Sequence, residues 1–477
     1  EELVSLLRER KVTSAELVEQ AIARIEALDE KTNAVIVRDF DRAREAAKLA
    51  DEAINKGDQR PLLGIPMTVK ESYNVGGLPT TWRIEQAKDN IAAKDSVPVK
   101  RLKDAGAIIL GKTNVSYLLI DWQSANPVYG VANNPWDQTR TPGGSSGGSA
   151  AALAAGFTPL ELGSDIGGSL RMPASFCGVY SLKPTYNLVP SRGHTPPVEP
   201  VLSVGARVDF AVGGPLARSA DDLDTALKIL AAPDDMKAKA YKLELPEPRH
   251  DNLKDFKVLV LDEHPLAPTD DAVKNKVNGL ADKLTDAGCQ ISRQSELLPD
   301  LSLMGRTYLT MLMSFFSANL PDEVYARELE RAKDLSDDDL SIEASMLRGS
   351  TLSHRDWVRT DRIRTGVVDK MNLFFREFDV ILCPVSPSVA FPHDHSHVPG
   401  RKLMVNGKEI SYLHQSMWIS IATLSGFPAT TMPVGLNNDG MPIGAQVIGP
   451  YLEDRTTIRF ASLVEKEFGG FIRPEGY

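Results

Sequence analysis

Three short segments hold residues whose types and spacing could do chemistry. In Pro61-Leu62-Leu63-Gly64-Ile65-Pro66-Met67-Thr68-Val69-Lys70 an apolar strand ends in a lysine. Burial withdraws the water that stabilises an ammonium, so the pKa of such an amine falls. A neutral lysine is a usable base. In Arg140-Thr141-Pro142-Gly143-Gly144-Ser145-Ser146-Gly147-Gly148-Ser149 the glycines permit close backbone approach, and the dense hydroxyls can relay protons. In Gly163-Ser164-Asp165-Ile166-Gly167-Gly168-Ser169-Leu170-Arg171-Met172-Pro173 two glycines let consecutive N–H groups turn toward one point before Ser169. Such donors can stabilise a developing oxyanion. Each segment has a plain alternative: a lysine whose ammonium reaches solvent, a flexible Gly/Ser tether, an ordinary turn before a helix. Asp165 and Arg171, a candidate buried ion pair, flank the last turn and count against the ordinary reading.

The elements that must position these residues alternate along the chain. Residues 1–58 read as helical, with Thr13-Ser14-Ala15-Glu16 as a cap and Leu17, Ala21, Ile22 and Ile25 as an apolar stripe. Gly57 and Pro61 end this region. Short strands are expected at 65–69, 107–110, 160–162, 256–261, 380–383, 430–434 and 444–448, with helices at 97–104, 150–155 and 272–287. Short buried strands alternating with helices argue for an α/β fold with a substantially parallel sheet. Residues 299–376 are Met-rich and charged with few strand signals, and read as a helical insertion packed on the sheet. The 477 residues give a loose expectation of about three domains, although one large fold is allowed.

Composition excludes several classes. Apolar residues make up 42% and charged residues 25%, as in a globular chain rather than a disordered one. No apolar run of membrane-spanning length occurs. The net charge of −10 disfavours nucleic-acid binding. The three cysteines, Cys177, Cys289 and Cys383, are scattered and suggest neither disulfides nor a metal site. The chain opens at Glu1 without Met, so a preceding targeting segment is left open; a cytoplasmic location is the expectation.

Four patterns invite other readings. Gly106-Ala107-Ile108-Ile109-Leu110-Gly111-Lys112-Thr113 matches the phosphate-loop pattern, but its apolar middle reads as strand, not as a loop offering N–H groups. Gly143-Gly144-Ser145-Ser146-Gly147 contains the α/β-hydrolase elbow pattern, but polar, turn-rich residues precede it instead of an apolar strand. His393, His395 and His397 follow far downstream and would be needed for a Ser-His-Asp site. As a metal cluster those histidines are framed by Pro392 and Pro399, and a surface loop is the better reading. A tether should join two units, yet the Gly/Ser loop runs straight into Ala150-Ala151-Ala152-Leu153-Ala154-Ala155, a helix with no surface face to spare. That reads as a buried loop.

Taken together the segments resemble the amidase signature family, hydrolases that use a Ser-cisSer-Lys triad. The likeness includes Gly111-Lys112-Thr113-Asn114, Asn134-Pro135-Trp136, Cys177-Gly178 and Leu182-Lys183-Pro184-Thr185. Gly426-Phe427-Pro428-Ala429 and Gly440-Met441-Pro442-Ile443-Gly444-Ala445-Gln446 continue it. It is strong over 60–220 and 378–450 and weak over 235–375. The resemblance implies one large domain with a central twisted mixed sheet flanked by helices on both sides. Its parts would be N-terminal helices (1–60), a catalytic core (61–235), a mainly helical insertion (about 236–376) and the rest of the core sheet (377–477). It implies Ser169 as nucleophile, Ser145 as the serine after a cis peptide and Lys70 as base. The oxyanion hole would be the N–H groups of Ile166, Gly167, Gly168 and Ser169. Gly143, Gly144, Ser146, Ser164, Asp165 and Arg171 would support the hydroxyl network; Ser164 stands where many members carry Thr. No metal or organic cofactor is implied.

The implied activity is cleavage of a small linear amide, or of a carbamate (urethane) or ester, through an acyl-enzyme. Aryl acylamidases and urethanases are of this kind. The main rival within the family is a glutamine-hydrolysing subunit for tRNA-linked transamidation. That branch usually carries an Asp-Glu-Phe-type stretch where this chain has Tyr117-Leu118-Leu119-Ile120-Asp121-Trp122-Gln123-Ser124. The apolar, aromatic character favours a stand-alone hydrolase, with Trp122 and Tyr129, and with Met304, Met311 and Met313, as candidate pocket walls or plain core. The expected partners are a small-molecule substrate and, at most, a second copy of the chain, with no nucleic acid and no membrane. A binding protein on the same fold is the non-enzymatic alternative.

Overall fold

The computed structural model describes residues 2–197 and 208–477. Its centre is a sheet of eleven strands: β1 (Val35–Arg38), β2 (Pro66–Lys70), β3 (Ile108–Thr113), β4 (Leu160–Asp165), β5 (Tyr180–Lys183), β6 (Val212–Ala217), β7 (Lys257–Val260), β8 (Gln290–Ser292), β9 (Val380–Pro384), β10 (Ala429–Leu436) and β11 (Pro442–Ile448). The order across the sheet is β1-β3-β2-β4-β6-β5-β10-β11-β9-β7-β8. Helices flank it, so the class is mixed α/β, as the resemblance implied.

The sheet is less parallel than the strand pattern suggested. β2 runs parallel to β3 and β4, and β7 runs parallel to β8 and β9. Between these two parallel patches every pairing is antiparallel. The central strands are buried on both faces and so lack alternation, which is why they read like parallel strands. β10 and β11 are joined by Asn437-Asn438-Asp439-Gly440-Met441, too short a link for a parallel crossover. Four strands were not anticipated. β6 reads Val-Gly-Gly-Pro-Leu-Ala, a composition that normally breaks strands, and β1, β5 and β8 are only three or four residues long. β1 also interrupts the helical region expected over 1–58.

Several helices start where the chemistry of their caps predicts. Ser14–Thr32 begins in a reciprocal box: the Glu16 N–H donates to Thr13 Oγ1, and the Thr13 N–H donates to the Glu16 carboxylate. Val97–Asp104 is the helix expected, and Asp271–Asp286 is displaced by one residue. The stretch read as a helical insertion holds Leu301–Ser317, Asp322–Lys333, Ile342–Ser350 and His354–Phe374. Among the described residues no helix is long and apolar enough to cross a membrane.

Two features of this frame set up the site. Met67 and Val69 of β2 point into one apolar core, so strand alternation sends Thr68 and Lys70 to the opposite face. The helix Gly147–Ala154 packs on that face. It comes this close because Gly148 has no side chain: a Cβ there would lie 2.3 Å from the Asn114 nitrogen.

Candidate active site

Lys70 is fully buried at the end of β2. Its Nζ donates to Ser145 Oγ at 2.7 Å and to Ser164 Oγ at 2.9 Å. Burial drives its pKa from 10.5 down to about 7, although the charge of Asp165 pulls the other way. The expected base is therefore an amine poised at neutral pH, in contact with the expected relay serine.

The Gly/Ser loop is buried throughout, from Thr141 to Ala155. It is a built loop and not a tether. The Gly144–Ser145 peptide bond is cis. Ser124 Oγ donates to the Gly143 carbonyl at 3.0 Å, and the Ser146 N–H donates to the Ser169 carbonyl at 3.2 Å. Ser146 Oγ donates to the Ser164 carbonyl at 3.3 Å. So Lys70, Ser145, Ser146, Ser164 and Ser169 form one cluster built from β2, β4 and two loops. Among the described residues no hydrogen bond joins the Ser145 and Ser169 hydroxyls; the Ser146 N–H and hydroxyl tie the two loops together.

The turn after β4 is organised around Asp165. Its carboxylate accepts from the Gly168 and Leu170 N–H groups at 2.9 and 3.1 Å and pairs with the buried Arg171 guanidinium at 3.0 Å. Burial alone would raise its pKa, but the ion pair and hydrogen bonds win and hold it down at about 2. Arg171 also donates to the Ile419 carbonyl, Thr423 Oγ1 and Gln446 Oε1. The C-terminal part of the chain thus clamps the turn. Thr423 and Gln446 were not anticipated as parts of the site, although Gln446 closes one of the segments that carry the resemblance.

The expected oxyanion hole needs one correction. The Gly168 N–H is taken by Asp165 and is not available to a substrate. Gly168, at φ +88°, instead lets the chain turn tightly against Ile419 and Met172. The N–H groups of Ile166, Gly167 and Ser169 have no hydrogen-bond acceptor among the described residues, and they are the donors left to face a reacting carbonyl.

The candidate pocket residues divide. The Trp122 indole N–H donates to the Gly167 carbonyl at 2.6 Å, so this residue does reach the site. Tyr129 carries the Arg83 guanidinium over its ring, 4.0 Å from the ring centroid. Met304 and Met311 are buried core residues. Met313 packs beside Gly349 of the neighbouring helix. The residue that helix contributes to the site is Tyr308, whose hydroxyl donates to the Ile166 carbonyl at 3.0 Å. Its sequence signal was weak: a tyrosine in the same stripe as the methionines.

The competing patterns fall out as read. The phosphate-loop match is β3, with Lys112 buried and donating to Thr80 Oγ1 at 2.8 Å. No strand leads into the Gly143–Gly147 loop, and the side chain on Ser145 is a lysine, not a histidine. His393 bonds Asn133 while His395 and His397 are exposed. Among the described residues no group of three or more His, Cys, Asp or Glu could hold a metal.

A buried lysine of neutral-range pKa on a serine, beside a turn with unpaired N–H groups on an α/β fold, is an arrangement able to activate a hydroxyl. The comparisons narrow it. The Amidase family model matches residues 16–458, and the chain belongs to that family, the amidase signature enzymes, which are C–N hydrolases. A glutamyl-tRNA(Gln) amidotransferase subunit from Exiguobacterium sp. (strain ATCC BAA-1283 / AT1b) is 31% identical, over 99% of this chain and 98% of its own. Of solved structures, an inhibitor-bound complex bearing on the origins of an s-triazine catabolic enzyme is 28% identical, with TM-score 0.81 and 99% of each chain covered. The 6-aminohexanoate cyclic dimer hydrolase is 26% identical, with TM-score 0.77 over 99% of this chain and 97% of its own.

Proposed function

We propose that the protein hydrolyses amide C–N bonds through a Ser169 acyl-enzyme, with Ser145 and Lys70 as proton relay. The observation that carries this is the 2.7 Å hydrogen bond between the buried Lys70 amine and Ser145. Neutral Lys70 accepts the Ser145 hydroxyl proton as Ser145 takes that of Ser169. The freed Ser169 oxygen attacks the substrate carbonyl. The resulting oxyanion meets the Ile166, Gly167 and Ser169 N–H groups. The relay then returns the proton to the departing nitrogen, which leaves as an amine or as ammonia. Water adds to the acyl-enzyme by the same relay in reverse and releases the acid.

Two acyl donors have specific support. The relatives' names support glutamine, with this chain working beside other subunits in a tRNA-linked amidotransferase. The comparisons favour that reading over a stand-alone hydrolase. The walls of the site support the stand-alone reading: small aryl or alkyl amides, carbamates or esters. Trp122, Tyr308, Ile419 and Met172 touch the turn with apolar and aromatic side chains, and Phe210 packs on the Tyr308 ring. Two charged pairs lie close to these residues, Asp121 with Arg401 and Asp209 with Arg364, and in each the charges answer one another. The α-ammonium and α-carboxylate of glutamine need counter-charges of their own.

One panel decides. The purified chain is assayed for ammonia from glutamine and for hydrolysis of anilides, fatty amides and aryl carbamates, with fluorophosphonate labelling in parallel. Glutamine turnover alone supports the amidotransferase reading, and anilide or carbamate turnover supports the stand-alone enzyme. No turnover and no labelled serine would leave a binding protein.

A further inference from the structure

The three carbonyls of the Ile166–Gly168 turn are each held by a different donor. Tyr308 Oη holds Ile166 O at 3.0 Å, Trp122 Nε1 holds Gly167 O at 2.6 Å, and the Met172 N–H holds Gly168 O at 2.7 Å. In a trans peptide the C=O of one residue and the N–H of the next lie in one plane and point in opposite directions. A donor that fixes a carbonyl therefore aims the following N–H. The middle plane shows this at work: Trp122 holds Gly167 O on one side, and the Gly168 N–H on the other reaches Asp165 Oδ1 at 2.9 Å. The plane held by Met172 ends in the Ser169 N–H, and the plane held by Tyr308 ends in the Gly167 N–H. Neither of these N–H groups has an acceptor among the described residues.

We propose that Tyr308 is a positioning residue for the oxyanion hole: its hydroxyl, through the Ile166 carbonyl, aims the Gly167 N–H at the reacting oxygen. The role rests on the acyl-enzyme reading above. Tyr308 is well placed to hold a plane rigidly. It is fully buried, its ring meets Phe210 edge-on at 5.7 Å, and it rises from Leu301–Ser317, a helix outside the segments that carry the relay. Gly167 is a soft point that needs such a hold, because glycine has the widest choice of backbone angles. Gly167 also presents only hydrogen toward the tyrosine: a Cβ there would sit 3.5 Å from Tyr308 Oη.

The test is Tyr308→Phe, which deletes one oxygen and keeps the ring packed on Phe210. Rates are taken per fluorophosphonate-titrated site, so that misfolded molecules drop out. Removing an oxyanion donor outright costs about 10²–10³ in rate, and a misaimed donor loses part of that. We expect kcat to fall about tenfold or more with KM nearly unchanged. The inhibition constant of a boronic acid, a tetrahedral mimic, should rise by the same factor as kcat/KM falls. Retained kcat and boronate affinity overturn the proposal. A raised KM with unchanged kcat also overturns it, by making Tyr308 a ground-state substrate contact. If the unmutated protein neither turns over an amide nor binds the boronate, the acyl-enzyme reading fails first, which is a distinct result.

Discussion

Lys70 gives the sharpest expectation, because its burial sets both a rate and a stability. With a pKa of about 7 instead of 10.5, about half of the protein carries a neutral amine at pH 7, against roughly 0.03% for a solvated lysine. Burial thus supplies about a thousandfold more free base. The neutral fraction is about one-tenth at pH 6 and about nine-tenths at pH 8, so kcat/KM should rise about ninefold across that interval and then level off. The rate of fluorophosphonate labelling of Ser169 should follow the same curve, since it reports the free protein and does not depend on the substrate. The stability effect has the opposite origin. The folded pKa lies below the unfolded one, so the unfolded chain binds more protons between about pH 7 and 10.5. Stability therefore rises with pH through that window, and the charge penalty is complete below it. A shift of this size corresponds to at most about 5 kcal/mol. Lys70→Met removes that penalty but leaves the Ser145 and Ser164 hydroxyls without their donor, worth about 1–3 kcal/mol each. The variant should be inactive yet folded, and its stability relative to the parent should be highest near pH 6 and decline toward pH 10 in denaturant titrations. A flat pH–rate curve, or a limb centred near 10, would refute the reasoning.

Other consequences follow from the same geometry. Ser169→Ala should lower turnover by at least about 10³-fold and abolish fluorophosphonate labelling while the thermal unfolding curve stays in place; near-normal turnover would remove Ser169 as nucleophile. Asp165→Asn strands the buried Arg171 guanidinium, so unfolding free energy from denaturant titration should drop by about 3–5 kcal/mol, and a loss below 1 kcal/mol, roughly, would count against the clamp. Gly148→Ala forces a methyl against the Asn114 backbone and should cost about 1–3 kcal/mol in the same titration; an unchanged midpoint would show that the helix can shift without strain.

The segments that hold the candidate relay were legible along the chain from residue types at strand ends and in Gly-rich turns, and the resemblance supplied their roles. Lys70 ends an apolar strand, and the Gly/Ser loop leads into an all-small helix that cannot face solvent. Those are local facts, and they led to the cluster that the structure assembles. The sheet was less legible. β6 hides behind Gly-Gly-Pro, and burial on both faces erased the period that tells antiparallel strands from parallel ones. The helices of the insertion are legible in the sequence, but Tyr308 is not, because core packing and a site contact share one helical stripe with Met304 and Met311.

What the sequence determined by itself is the chemical inventory: a strand ending in a lysine, a loop dense in glycine and serine, and a turn able to present N–H groups, with the roles of Lys70, Ser145 and Ser169 supplied by the resemblance. These follow from side-chain type and local backbone preference, which act over a few residues. Which N–H groups stay free was decided only by tertiary contacts. Asp165 takes that of Gly168, while Tyr308 and Trp122, 142 and 45 residues along the chain from the carbonyls they hold, fix the neighbouring peptide planes. Hydrogen-bond competition is settled by distance in space, and the strand order that sets those distances is not written in any single segment.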